Sequence, residues 1–147
     1  MTVRALSEVD LTRSRRVVLV AVDELDLRAQ VALRYALLIP ARAYRAVHVD
    51  LDEGATRSLG LEWMQSGVRM PLDILDDRGG VAASIAGAAR RCVAPDIDEV
   101  VVLVGSLAVR GLSRRLFHDR TADEISHAVN RVPRALSVLL PVAGASR

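Results

Sequence analysis

The stretch LFHDRTADEI, residues 116 to 125, sets His118, Asp119, Arg120 and Thr121 together just ahead of an apolar periodicity. Thr121 stands three residues before Glu124, the capping-box pattern in which the threonine oxygen accepts from a backbone N–H and the glutamate reaches back. The spacing predicts a helix that begins at Thr121. A helix start also directs free N–H groups and the positive end of its dipole outward, so the same residues could hold an anion. Capping and anion binding are compatible readings. Upstream, Gly105, Ser106 and Gly111 end an apolar run and start a loop, and Arg110, Arg114, Arg115 and Arg120 add positive charge.

Catalytic constellations are harder to assemble. Ser106 follows an apolar run, but the G-x-S-x-G elbow is absent. His48, His118 and His127 are the only histidines, and none has a metal-ligand spacing with another histidine or a cysteine. His48 reads as a strand end. Cys92 is the single cysteine, which excludes an internal disulfide and suits a reducing cytoplasm. The steps Val81, Ile85, Ala88 and Cys92 place it on the apolar side of a helix. The expectation is a protein that is not an enzyme and carries no metal.

Positioning these residues requires a scaffold, and the apolar runs supply it. RVVLVAV from Arg16 is a continuous β-branched run of the kind found in strands covered on both faces. Four more runs follow, at 43–49, 71–76, 99–105 and 135–142. Helical patterns lie between them. Leu27, Val31, Tyr35 and Leu38 form one predicted stripe, Leu59 and Trp63 a second face within 54–66, and Ala122, Ile125, Val129 and Val132 a third. Alternation of strand and helix predicts a doubly wound α/β domain in three layers, a five-stranded parallel sheet with right-handed crossovers. Ligands in such sheets sit beyond the carboxyl ends of the strands where strand order reverses, which singles out the strand ends Asp23, His48 and Val49, Asp76 and Asp77, and Gly105 and Ser106; if the first and fourth strands are neighbours, Asp23 and Gly105 flank the crevice.

Composition narrows the function classes. Of 147 residues, 51% are hydrophobic and 26% charged, the balance of one globular domain. All 20 basic residues are arginine, yet the net charge is only +2. That excess is too small, and the aromatics at 3% too few, for a nucleic-acid coat. No apolar run approaches a membrane span, and no signal-peptide core opens the chain, so a cytoplasmic protein without direct membrane insertion is expected. Residues 1–15 read as a flexible arm, 16–143 as the domain and 144–147 as a tail.

These features resemble the universal stress protein family: the RVVLVAVD opening, VHV in the second strand, and a fourth strand entering Gly105-Ser106 with Gly111 downstream. The resemblance implies a Rossmann-like fold, a non-enzymatic stress or regulatory role, ATP or another adenine nucleotide as ligand, and a homodimer through the last strand. It implies Asp23, Val49 and Gly105 as nucleotide-site residues, and the reading of the loop and helix start adds Ser106, Gly111, His118 and Thr121 to the expected nucleotide site. The family's glycine loop is not reproduced, since its later glycines fall on Ala108 and His118 and its hydroxyl on Asp119. A narrower resemblance is to the soluble carboxyl-terminal domains of bacterial amino-acid permeases, carried by LFHDRTA and by WMQSGVRMPL with Trp63, Gly67, Pro71 and Leu72. It implies the alternative function, a nucleotide-free interaction or dimerisation module acting on a transporter.

Overall fold

The computed structural model describes the backbone of residues 15–108 and 112–143, and the side chains of 15–106 and 120–142. Nine elements alternate: β1 (Arg16–Ala21), α1 (Leu27–Ala36), β2 (Ala43–Asp50), α2 (Glu53–Ser66), β3 (Leu72–Asp76), α3 (Val81–Cys92), β4 (Glu99–Ala108), α4 (Leu112–Asn130) and β5 (Ala135–Ala143). The five strands lie in the order β3-β2-β1-β4-β5, and every pairing is parallel. The expected doubly wound α/β fold is present.

Alternation within the buried strands builds the two sides of the core. Val17 and Leu19 pack with Ile85, Ala88 and Ala89 of α3 and with Ala122, Ile125 and Val129 of α4. Val18 and Val20 face the opposite way, onto Ala29, Ala32, Leu33 and Ala36 of α1 and Leu59 and Trp63 of α2. The β-branched run of β1 is therefore apolar throughout because both of its faces are covered.

Helix α1 presents a different face from the predicted stripe. Leu27, Tyr35 and Leu38 are exposed, while three alanines and Leu33 meet the sheet. Small side chains let the helix axis approach β1 and β4 closely, and the larger residues are left outside. The predicted stripes of Leu59 with Trp63, and of Ala122, Ile125, Val129 and Val132, are buried as expected.

Helix α4 corrects the reading of Thr121. It begins at Leu112, so Thr121 lies in its interior and not at its start. No glycine or proline interrupts Leu112–Asn130, so nothing stops the helix propagating back through LFHDR. Glu124 takes the Arg120 guanidinium at 3.2 Å, an i,i+4 pair on an exposed face. The capping box is not formed, and the amides at Thr121 do not constitute a helix terminus.

Candidate functional site

Strand order reverses between β1 and β4, which are paired from Arg16↔Glu99 to Ala21↔Val104. A cavity of about 220 Å³ opens at the carboxyl ends of these strands. Asp23, Val49, Gly105 and Thr121 all line it, so four of the residues selected from sequence converge. Ser106 continues β4 opposite Pro141 and is not part of the cavity wall. Gly111 and the side chain of His118 lie outside the described residues.

Each wall has a local cause. The carbonyl of Val47 accepts from Val22 N–H at 2.9 Å, which ties the chain after β1 to β2 and presents Asp23 at the exposed mouth. Asp26 caps α1 by accepting from Ala29 N–H at 3.1 Å, and its other oxygen takes Arg28 Nε at 2.8 Å. The floor is apolar, with Val49, Ile85, Val104, Ala122 and Ile125. Among the described residues Asp23, Glu24 and Asp26 make the rim acidic, and Arg28, which also lines it, is paired with Asp26.

His48 reads from sequence only as a strand end and is not among the expected nucleotide-site residues. It is 4% exposed, lines the cavity, and bonds through both ring nitrogens, to the Val22 carbonyl and to Thr56 Oγ1 at 2.9 Å each. Its only sequence signal is a histidine inside the apolar run AVHV, on a strand that burial requires to satisfy every polar atom.

Elsewhere, Cys92 is half-buried on α3, and burial pushes its thiol above the ordinary cysteine range. That environment marks a structural cysteine and not a reactive one. Among the described residues, no group of three or more His, Cys, Asp or Glu could hold a metal ion.

At the far edge of the sheet, Val100 N–H donates to the Arg134 carbonyl at 2.8 Å, which turns Ala135, Ser137, Leu139 and Pro141 toward the open side of β5. Two of those amides are taken within the chain: Ala135 N–H by the Val132 carbonyl at 3.1 Å and Ser137 N–H by Asn130 Oδ1 at 3.0 Å. Pro141 has no N–H to offer. Three of these four positions therefore offer no N–H to an added strand.

Among the described residues no helix is long and apolar enough to cross a membrane. No curated protein matches the chain. A family model described as the KimA potassium transporter C-terminal domain matches residues 13–142, nearly the whole sequence; it agrees with the likeness of LFHDRTA and WMQSGVRMPL to a carboxyl-terminal domain of a transporter, but the transporter is one of potassium and not an amino-acid permease. The chain belongs to the family of KimA potassium transporter C-terminal domains.

Proposed function

We propose that this chain is a non-enzymatic, cytoplasmic regulatory domain of the transporter-associated kind, which takes an adenine nucleotide in the cleft between β1 and β4. The observation that carries the reading is the convergence of Asp23, Val49, Gly105 and Thr121 around one apolar-floored cavity at the switch point. At about 220 Å³ it is smaller than ligand pockets of roughly 300–1,000 Å³. It suits a nucleobase with its sugar, and phosphates would lie over the rim. Asp23 is placed to accept from a ribose hydroxyl. The rim is acidic, so phosphates require cations from beyond it, and Arg110, Arg114 and Arg115 follow β4 in the sequence. The universal stress protein likeness enters here as support for the ligand class, and a stress-linked stimulus belongs to the same reading.

The test is thermal melting against ATP, AMP, cyclic AMP and cyclic di-AMP. A ligand that binds only the folded state raises the midpoint with concentration. One nucleotide doing so, and losing the effect in Asp23→Ala, supports the reading. Flat curves with all four would refute it.

The acidic rim and the paired Arg28 favour a second reading, a nucleotide-free interaction or dimerisation module. A homodimer through β5 would then rest on side chains such as Leu136, 37% exposed, because the backbone edge offers few donors. Sedimentation at micromolar concentration tests it: a dimer dispersed by Leu136→Arg supports this contact, and a monomer throughout excludes it.

A further inference from the structure

The hydrogen bonds around His48 fix more than its position. Nδ1 faces the Val22 carbonyl, which can only accept, so Nδ1 carries a proton. The Thr56 hydroxyl donates to Asp50 Oδ1 at 2.9 Å, and a hydroxyl has one proton to give. Its oxygen, 2.9 Å from Nε2, is then an acceptor, and Nε2 must carry a proton as well. The relay Val22–His48–Thr56–Asp50 is complete when the ring is an imidazolium beside an ionised carboxylate, or when the carboxyl holds that proton and the hydroxyl turns to Nε2. Either arrangement holds one proton more than a neutral ring with a carboxylate. Without it, one 2.9 Å contact has no hydrogen between its atoms.

We infer that this relay is a proton-sensitive clamp at the candidate cleft, joining the tip of β1 to the first turn of α2 through His48. With the proton bound, Val22, and therefore the adjoining Asp23, is held to Thr56. With the proton lost, the single Thr56 hydroxyl proton serves either His48 Nε2 or Asp50 Oδ1, and the other contact at Thr56 is left without a hydrogen. The charges on the surrounding elements are compatible with a cationic ring. Asp23, Glu24 and Asp26 follow β1, Asp50 ends β2, Asp52 caps α2, and Asp76 of β3 stands opposite Asp50 in register. Arg28 of α1 is paired with Asp26, and Arg57 of α2 with Glu53 at 3.0 Å, so both neighbouring guanidiniums are already compensated. The clamp rests on the proposed nucleotide site only for its consequence, stronger retention of an anion in the protonated state.

Nitrogen-15 NMR of the ligand-free full chain, followed from about pH 5.5 to about pH 8.5, tests the clamp directly. At the acid end His48 is expected to show both ring nitrogens in the N–H form. On raising the pH one of these signals is lost, with amide shifts concentrated at Val22, Asp23 and Thr56. Thr56→Val is expected to abolish the response at the α2 amides, and Thr56→Ser to retain it. A ring with one N–H throughout, or a response that Thr56→Val leaves intact, would overturn the inference. A valine variant that does not fold leaves the wild-type and serine spectra to decide. A nucleotide titration on the same wild-type sample separates the two claims: no binding alongside an intact proton response removes the ligand and leaves the clamp.

Discussion

Gly105 and Arg28 are in such close contact that a Cβ on the glycine would lie 2.6 Å from the Arg28 carbonyl oxygen and 2.9 Å from its carbonyl carbon. The end of β4 and the first turn of α1 are therefore in backbone contact, and the glycine at this position is required by packing whether or not a ligand is near. Gly105→Ala should displace α1 or bend β4, at a cost of about 1–3 kcal/mol by the usual scale of overpacking. Thermal or denaturant unfolding measures it. A change below a few tenths of a kcal/mol would show that the contact relaxes freely.

Trp63 is the only tryptophan, 7% exposed, and its Nε1 donates to the Met70 carbonyl at 2.9 Å. Its emission should be that of a shielded indole and should shift to the red on unfolding. Trp63→Phe keeps most of the apolar contact but strands the Met70 carbonyl, so a loss of about 1–3 kcal/mol is expected. Urea unfolding followed by circular dichroism checks this without needing the indole.

Arg45 grips both oxygens of Asp73, at 2.5 and 2.6 Å, and holds that carboxyl below the ordinary aspartate range. A depressed value in the folded state means that the pair stabilises above the unfolded value, about 3.9, and that this contribution is lost as pH falls through the folded one. The side chains are 44% and 36% exposed, so solvent screening limits the effect to at most about 1 kcal/mol. Asp73→Asn should lower stability near neutrality and flatten the acid limb below about pH 4, as read from melting midpoints across pH. An unchanged acid limb would assign the acid sensitivity to other carboxylates.

The parallel sheet was legible because runs such as RVVLVAV have no polar face to expose, and the site was legible as far as strand ends define it. Asp23 and Gly105 needed only the rule that ligands meet sheets at their carboxyl ends, Val49 came with the family resemblance as well, and Thr121 joined them although its predicted capping role was wrong. The local pattern around Thr121 satisfies a capping box, but the absence of a breaker before it decided the outcome, and a cap motif carries no information about what lies upstream. In α1 the large apolar residues suggested one face, and the need for close approach to the sheet selected the alanine face instead. The role of His48 could not be read locally, because it depends on Thr56 arriving from another element. The occupied Ser137 amide on the edge of β5 likewise depends on Asn130, the last residue of α4.

The central claim, that the β1/β4 cleft takes an adenine nucleotide, is tested most directly by calorimetric titration of wild type beside Thr121→Trp. Thr121 is exposed at the cleft wall, so the indole fills the opening without entering the core. The account predicts saturable binding of at least one of ATP, AMP, cyclic AMP and cyclic di-AMP to wild type, weakened about tenfold or more, ~1.4 kcal/mol, by the tryptophan. No binding of any of the four, or equal affinity in both proteins, would contradict it.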